Sequence, residues 1–301
     1  MSLNQEVAFK VPSELYDMYR AYCKTKEVLP ANDLKAYMKR TVGEISVKEE
    51  YDLKLACINL HMKNSSMISV PFAGSEETRI RRLAFDAIAT KADIISANEF
   101  APAKGDIFLD IMQAGGYQAY FSPDYVKEDN LRAYCITVLF IKKNRGIEFK
   151  PVKNQGPRHL RQVEGVLSYR GVEIDLLALH ILPVSDVNKV REVEMKEEHL
   201  VVVKDFVAKA RRPLVIMGDT NTDYEKKDVG FENLKSYIST LKDITPEENT
   251  HCNKRLLRVI CSPILVKDHI REVLKNVVRL GLTDHAIITT TISVERLTNG
   301  L

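Results

Sequence analysis

The sequence predicts an α/β fold of four layers, in which two packed β-sheets are flanked by helices, with a small helical extension at the N-terminus. Three observations support this expectation. Segments typical of buried strands dominate the chain, most long helical segments lie between them, and no internal repeat or low-complexity tract is visible. Because a sheet must bury its apolar face against another layer, this pattern favours a layered sandwich.

Each element is predicted from its hydrophobic periodicity. Continuous apolar runs such as LKLACINL, PLVIM and the β-branched AIITTTISV indicate buried strands, whereas apolar residues at every third or fourth position indicate helices. Turn chemistry marks some of the ends, because Gly115 and Gly116 favour the end of a helix and Arg170 with Gly171 is typical of a tight hairpin. In chain order we predict strand 53–60, helix 76–91, strand 93–97, helix 107–114, strands 132–142, 146–152, 161–169 and 172–179, helix 188–210, strand 213–217, helix 231–241 and strand 286–294.

Residues 1–50 differ in their pattern of apolar and polar residues from the main body, residues 51–301. Ser13 is typical of a helix N-cap and precedes a stripe of apolar residues at helical spacing. Pro30 interrupts the pattern, and a second helix is predicted to start near Asn32 or Asp33. We expect a small helical extension that packs on the main body or contacts a protein partner.

Composition argues against several broad classes of protein. The net charge is +3 and no run of like charges forms a polybasic tail, whereas a dedicated nucleic-acid binder concentrates more positive charge. No apolar stretch approaches the ~18 residues of a membrane span, and the N-terminus has no signal pattern. The five cysteines are widely spread without a CxxC pair, which argues against a disulfide framework or a zinc site. We therefore expect a cytoplasmic protein with reduced thiols.

Several polar residues fall where the predicted buried strands end. A polar residue at a strand end is usually only the start of a loop, but a rigid sheet can also hold such side chains at fixed geometry. The set as a whole combines hard oxygen donors with imidazoles. Its members are Asn59, Glu99, His180, Asp219, Asn221, Asp284 and His285.

The chemistry of this set favours a hard divalent cation. Glu99 and Asp284 offer carboxylate oxygens and Asn59 offers an amide oxygen, which suit Mg²⁺ or Mn²⁺, whereas zinc prefers Cys and His. Phosphoryl chemistry also needs a group that orients or deprotonates water, and donors for the charge that builds up on the nonbridging oxygens. Asp219 suits the first role, and Asn221 with the two histidines suits the second.

The order and spacing of these residues resemble the endonuclease/exonuclease/phosphatase superfamily, which includes deoxyribonuclease-I-like nucleases, abasic-site endonucleases, inositol polyphosphate phosphatases and bacterial sphingomyelinases. The resemblance covers about residues 52–294. Its most specific pieces are PLVIMGDTNTD, similar to the hydrophobic-GDxN motif, and LTDHAII, similar to the (S/T)DH motif before a terminal strand. LLALHILP is similar to the strand that ends in His, and IISANEF to the Glu strand, with Asn98 in place of the usual Gln.

The resemblance implies a metal-dependent phosphoesterase and a role for each matching position. Glu99, with Asn59 and Asp284, would hold the cation. Asp219 would activate the attacking water. Asn221 and His180 would contact the scissile phosphate, and His285 would stabilise the developing charge.

One departure from the family pattern concerns the partner of His285. The family has an Asp in a strand before the final motif, in a pattern like RLDxVxxS, and that carboxylate orients the terminal His. The equivalent stretch here is KRLLRVICS, with Leu257 at the Asp position. A carboxylate partner raises the pKa of a histidine and fixes its tautomer, so we expect His285 to be less cationic. Asp243 could supply a substitute carboxylate from elsewhere in the fold.

The remaining polar candidates are interpreted more conservatively. His61 and His159 are expected to be surface or core residues and not ligands. Arg158, Arg161 and Arg170 could form a basic strip that faces the substrate, or an ordinary solvated strand edge.

Two classes of function stay open on sequence alone. The first is an active phosphoesterase, either a nuclease or a small-molecule phosphatase or phosphodiesterase, whose partner is a phosphate ester with nucleic acid as one of the classes. The alternative is a non-catalytic or regulatory binding relative that kept the fold, for which Leu257 is the best support. Retention of the other family positions argues against this alternative.

Overall fold

Residues 1–50 lie outside the described part of the chain, so the predicted helical extension, its possible protein partner and its boundary at residue 51 stay predictions. The residues that the computed structural model describes are 52–62, 72–127, 129, 136–153, 159–185, 190–223, 227–248, 250–251, 254, 256–266, 272–275, 278 and 280–298.

Strands make up most of the regular structure. The described strands are β1 (Asp52–Asn59), β2 (Ile94–Phe100), β3 (Tyr117–Tyr120), β4 (Ile136–Lys142), β5 (Ile147–Val152), β6 (Gln162–Tyr169), β7 (Val172–His180), β8 (Leu214–Asp219), β9 (Lys242–Asp243), β10 (Leu257–Cys261), β11 (Glu272–Leu274) and β12 (Ile287–Ser293). The described α-helices are α1 (Glu76–Ala89), α2 (Asp106–Ala114), α3 (Val190–Lys209), α4 (Phe231–Tyr237) and α5 (Glu295–Thr298).

The strands form two six-stranded sheets. The first sheet has the order β11-β12-β1-β2-β4-β3, and the second has the order β5-β6-β7-β8-β10-β9. Near the middle of each sheet lies one parallel pair, β1 with β2 in the first sheet and β7 with β8 in the second. Parallel strands bring their carboxyl ends to the same edge of a sheet. The sequence candidates at the ends of these four strands are therefore brought to shared edges.

Side-chain alternation along β1 shows how the layers pack. Leu53, Leu55 and Cys57 lie in the apolar core between the two sheets, whereas Ala56 and Ile58 lie in the core beneath α1 and α2. A third apolar cluster joins the outer face of the second sheet to α3 and α4. The predicted four-layer α/β sandwich is confirmed.

The predicted elements agree with the described ones apart from short pieces. The hairpin between β6 and β7 turns at Arg170 and Gly171, whose φ values are 53° and 78°, and Gly116, with a φ of 87°, follows the end of α2 as expected. The strands absent from the elements predicted by periodicity are β3, β9, β10 and β11, which have four, two, five and three residues. Such short strands do not contain enough residues to show alternation.

Helix α3 packs along the outside of the second sheet and carries an unusual buried cation. Its apolar stripe includes Leu200, Val203 and Phe206. Among the described residues, no helix is both long enough and apolar enough to span a membrane.

Lys196, the buried cation of α3, is only 1% exposed, and its Nζ donates to the backbone oxygen of Asn221 at 2.5 Å. Burial lowers the pKa of Lys196 to about 8, although the negative charges of Asp228 and Asp219 oppose this shift.

Replacing Lys196 should change how stability depends on pH. The unfolded chain keeps the ordinary lysine pKa of 10.5, so between about pH 8 and 10.5 folding releases a proton from Lys196. The unfolded state then binds more protons, and stability rises with pH across this window. We expect the free energy of unfolding of the wild type, relative to Lys196→Met, to rise from about pH 8 to 10.5 in denaturant titrations.

The exposed Lys209 of the same helix provides a matched control, because its side chain is 78% exposed. The difference between the wild type and Lys209→Met should stay nearly flat over the same pH range. A flat difference for Lys196→Met as well would mean that Lys196 keeps an ordinary pKa in the folded protein.

Leu257, which stands at the position of the family's Asp, belongs to the apolar core between the sheets. Its side chain is fully buried, and it lies directly opposite Asp219 in the antiparallel pairing of β10 with β8. Directly opposed residues on neighbouring strands point to the same face of the sheet. A carboxylate at position 257 would therefore lie in a dry environment close to the negative charge of Asp219.

We expect Leu257→Asp to lower the free energy of unfolding by roughly 3–5 kcal/mol, because it buries an uncompensated charge. Leu257→Met keeps the apolar volume and should cost less than about 1.5 kcal/mol. Urea unfolding of both variants checks the difference. Equal stability of the two variants would show that a partner such as His285 accepts the new carboxylate.

Candidate active site

Asn59, the last residue of β1, joins carboxylates from both sheets. It is fully buried, and its Nδ2 donates to Oε1 of Glu99 at 3.1 Å and to Oδ2 of Asp219 at 3.0 Å. Its Oδ1 accepts a hydrogen bond from the backbone N of His61 at 3.0 Å. In this geometry Asn59 aligns Glu99 and Asp219, and its service as an oxygen ligand stays a prediction.

Glu99 lies at an irregular position near the end of β2. The pairing of β2 with β4 shifts register between Ala97 and Phe100, and Glu99 has a φ of 57°. A left-handed backbone at a residue other than glycine costs on the order of 1 kcal/mol or more, and such residues cluster at functional sites. The Glu99 carboxylate faces imidazoles, with Oε1 3.6 Å from Nε2 of His180 and Oε2 3.8 Å from Nδ1 of His61.

Asp284 comes from the loop before β12 and is held by imidazoles on both of its oxygens. Oδ1 lies 3.0 Å from Nδ1 of His61, and Oδ2 lies 3.2 Å from Nε2 of His251. Burial raises the pKa of Asp284, but hydrogen bonds from His251 and His61 outweigh burial and hold the pKa well below its usual range. Thr283 ties this loop to β1, since its Oγ1 donates to the backbone oxygen of Asn59 at 2.7 Å. Asp284 is therefore ionised and fixed next to the end of β1.

The GDxN motif is explained by the local packing of β8. A Cβ added to Gly218, whose φ is 133°, would lie 2.0 Å from the backbone oxygen of Leu179, so only glycine fits. The next residue, Asp219, is fully buried, and its Oδ1 accepts from the backbone N of Asn221 at 2.9 Å. Burial raises the pKa of Asp219, but nearby His285 and the hydrogen bonds to the carboxylate outweigh it and lower the pKa. Asn221 itself donates its Nδ2 to the backbone oxygen of Ile181 at 2.8 Å.

His180, at the end of β7, is a neutral donor aimed at Glu99. Nη1 of Arg161 lies 3.1 Å from Nδ1 of His180. Because an arginine can only donate, Nδ1 must accept, and the proton of the neutral imidazole is then on Nε2. Burial and the charge of Arg161 lower the pKa of His180. Its Nε2 has no hydrogen-bond partner within the described residues, which leaves this N–H available to a substrate.

His285 follows Asp284 and stacks on His251. The ring centroids of the two histidines are 4.5 Å apart, and Nε2 of His285 lies 3.8 Å from Oδ2 of Asp219 and 3.7 Å from Oδ1 of Asp284. Its Nδ1 has no hydrogen-bond partner among the residues with described positions. Burial lowers the pKa of His285, although the negative charges of Asp219 and Asp284 oppose this shift.

Asp243, the suggested substitute carboxylate for His285, is engaged elsewhere. Its Oδ2 accepts from Nη1 of Arg258 at 2.7 Å and its Oδ1 from the backbone N of Thr245 at 2.9 Å. The carboxylates that approach His285 in the described structure are therefore those of the site itself.

Two histidines that sequence reasoning did not assign to the site lie within it. His61, which was expected to be a surface or core residue and not a ligand, contacts Asp284 and approaches Glu99. Its position two residues after Asn59, at a strand end, was the available signal. His251 carries no such signal, because it reaches the site through isolated bridges to Lys254 and His285.

The proposed basic strip is not formed by its described members. Arg161 precedes β6 and supports His180, whereas Arg170 follows β6 at the opposite end of that strand. Arg158 and the side chain of His159 lie outside the described residues.

The donor set fits a divalent cation. Among the described residues neither Glu99 nor Asp284 pairs with a lysine or an arginine, and histidines are the partners of both. Donor atoms of His251, Asp284 and His285 also lie within 4.8 Å of one another. A partly buried carboxylate without a permanent cation lowers the stability of the fold unless a bound ion or a proton compensates its charge.

Comparisons with known proteins support the fold. No family model matches the chain, and no curated protein matches it in sequence. Similar solved structures include the following three. An endonuclease/exonuclease/phosphatase from Bacteroides vulgatus has a TM-score of 0.60 at 15% identity, over 81% of this chain and 99% of that chain. The human Nocturnin catalytic domain with bound sulfate anion has a TM-score of 0.55 at 17% identity, over 80% of this chain and 94% of that chain.

The third structure is D. rerio TDP2 complexed with a single strand DNA product, with a TM-score of 0.55 at 17% identity, over 80% of this chain and 99% of that chain. At such identities structural similarity establishes the architecture of a chain and not its reaction. The chain therefore has the fold of the endonuclease/exonuclease/phosphatase superfamily, the family that its motifs resemble.

Proposed function

We propose that this protein is a divalent-metal-dependent phosphoric ester hydrolase that uses Mg²⁺ or Mn²⁺. One observation carries the proposal: Glu99 and Asp284, two carboxylates that have no lysine or arginine partner among the described residues, lie next to a buried ionised Asp219 and a neutral histidine donor, His180. Metal-assisted hydrolysis of a phosphate ester requires three components: a cation site, a carboxylate that orients water, and a hydrogen-bond donor to the phosphate oxygens.

Glu99 and Asp284 would hold the cation, with Asn59 beside them. When bound, the ion would supply positive charge against the phosphate oxygens and the leaving oxygen. Asn59 contributes by fixing the direction of the Glu99 carboxylate, through its hydrogen bond to Oε1. Glu99 has a left-handed backbone, and its carboxylate faces His61 and His180.

Asp219 would orient the attacking water and accept its proton. One oxygen is held by the backbone N of Asn221 and the other by the amide of Asn59, so the carboxylate cannot rotate away. Its lowered pKa keeps it ionised at neutral pH. A water placed against Oδ2 would also lie near Nε2 of His285, which is 3.8 Å from that oxygen.

His180, His285 and Asn221 would act on the phosphate. Arg161 fixes the tautomer of His180, so its Nε2–H is a donor that does not depend on protonation of the ring. The amide of Asn221 is oriented by its bond to Ile181, and Lys196 holds its backbone oxygen. Preorganised donors of this kind stabilise charge that develops on nonbridging oxygens.

The substrate class is proposed to be a phosphodiester. Single-stranded DNA is the first substrate to test, because the similar D. rerio TDP2 structure contains a single strand DNA product. A small phosphodiester is the second, since the net charge of +3 gives no sign of a large basic surface for a long duplex. The rival proposal is a non-catalytic binding relative, which would bind the cation or the ester without turning it over.

Hydrolysis should require a divalent cation. We expect turnover of a single-stranded oligonucleotide or a small phosphodiester in Mg²⁺ or Mn²⁺, complete loss in excess EDTA, and recovery when excess cation is added back. The reason is that, within the described part of the chain, no lysine or arginine balances the carboxylates of Glu99 and Asp284. Full activity in EDTA would contradict the metal requirement. Binding of substrate without turnover under every metal condition would favour the regulatory relative.

Asp219→Asn should keep the fold and lose most of the turnover. The substitution preserves the shape of the side chain but removes its charge, and groups that orient or deprotonate water contribute about 10²–10⁴ in rate. Steady-state kinetics, with circular dichroism as the check on folding, measures the effect. Asp205→Asn, an exposed substitution on α3, should leave kcat unchanged. A folded Asp219→Asn variant with near-normal kcat would assign the water-orienting role to another group.

A further inference from the structure

Three imidazoles surround Asp284, and a magnesium site made only of oxygen ligands does not need these imidazoles. His61 and His251 contact its two oxygens, and His285 lies 3.7 Å from Oδ1. We propose that His61 is a nitrogen ligand of the cation held by Glu99 and Asp284, so that the centre takes a first-row transition ion, Mn²⁺ or Co²⁺, in preference to Mg²⁺. This inference rests on the proposed function, because it concerns the ion of the same site.

The donor spacing around His61 is that of a ligand set. Nδ1 of His61 lies 3.0 Å from Oδ1 of Asp284 and 3.8 Å from Oε2 of Glu99. Adjacent ligands of a six-coordinate ion with bonds of ~2.1 Å are ~3.0 Å apart, and those of a four-coordinate ion are ~3.4 Å apart. The separation of His61 from Asp284 is therefore that of neighbouring ligands, and its separation from Glu99 is somewhat longer.

His61 is also fixed in place by its backbone. It has a φ of 46°, its N–H donates to Oδ1 of Asn59, and its carbonyl oxygen accepts from Nη2 of Arg79 at 3.3 Å. Nη1 of the same buried Arg79 donates to the backbone oxygens of Leu60 and Leu282. One guanidinium thus connects the chain segment that carries His61 to the loop that carries Asp284. Ligands held by such buried supports are preorganised for an ion.

His251 completes the arrangement from the other side of the carboxylate. Its Nε2 lies 3.2 Å from Oδ2 of Asp284, which leaves Oδ1 directed at His61. A histidine that holds the outer oxygen of a ligating carboxylate sets its orientation. His251 is therefore a positioning residue, and His61 is the ligand.

Ligand chemistry then determines the preferred ion. Mg²⁺ prefers oxygen ligands and retains its waters, whereas imidazole nitrogen suits transition ions, whose affinities rise from Mn²⁺ to Co²⁺ along the first row. A site with two carboxylates and one imidazole should therefore bind Co²⁺ and Mn²⁺ more tightly than Mg²⁺. The sequence-based choice between Mg²⁺ and Mn²⁺ is thereby narrowed to Mn²⁺.

The test uses the full chain stripped of metal by a chelator and then dialysed. Isothermal titration calorimetry gives the dissociation constants for Mg²⁺, Mn²⁺ and Co²⁺, and visible absorption of the Co²⁺ form reports nitrogen coordination. His61→Ala removes the ligand, whereas His61→Asp replaces nitrogen by oxygen at the same position. Mg²⁺ binding to each variant is the internal control for folding of the site.

We expect His61→Ala to weaken Mn²⁺ and Co²⁺ binding by about 10–100-fold, the range typical of lost support at a metal centre, with a smaller effect on Mg²⁺. His61→Asp should reduce the preference for Mn²⁺ over Mg²⁺ and shift the Co²⁺ spectrum. Unchanged Mn²⁺ and Co²⁺ affinities with an unchanged Co²⁺ spectrum in His61→Ala would overturn the ligand assignment, and Mg²⁺-supported hydrolysis by the wild type would leave the proposed function standing. Absence of binding of every cation together with absence of hydrolysis would overturn both.

Discussion

The hydrogen bonds of the Asn59 amide connect the two halves of the site. Glu99 belongs to the first sheet and Asp219 to the second, and one NH₂ group donates to both at 3.1 and 3.0 Å. A buried carboxylate without a donor is costly, so two of them from opposite sheets need a shared donor to lie close together. Asn98, one residue before Glu99, also connects the two sheets, because its Nδ2 donates to the backbone oxygen of Leu179 in the second sheet. The geometry of the site depends on these amides.

The balance of charge explains why the site calls for a cation. Glu99, Asp219 and Asp284 are three carboxylates in a largely buried space, and their close partners in the described structure are amides, backbone N–H groups and imidazoles. Burial lowers the pKa values of His180 and His285, so those rings contribute little positive charge near neutral pH. A divalent ion would supply the missing charge without a change in the fold.

Three of the six described non-glycine residues with positive φ values lie at the site. His61, Glu99 and Asn221 all have positive φ values, of 46°, 57° and 46°. Each is stabilised by a hydrogen bond at its own backbone: the N–H groups of His61 and Asn221 donate to Asn59 and Asp219, and the carbonyl of Glu99 accepts from the N–H of Met62 at 3.3 Å. The surrounding structure thus offsets a cost of about 1–3 kcal/mol at each such residue. This pattern is typical of sites in which position matters more than local stability.

The sequence by itself determined the layered fold and the strand-end residues of the site. Alternating and continuous apolar runs are local patterns. Parallel pairing brings Asn59 near Glu99 in one sheet and His180 near Asp219 in the other, and the packing of the two sheets brings these pairs together. Tertiary structure alone decided the surroundings of Asp284. His251 is 33 residues away from Asp284 in sequence, and its approach depends on the path of a loop that no periodicity describes. The same holds for the direction of the Asn59 amide and the apolar setting of Leu257, because both are set by which residues face each other across two sheets.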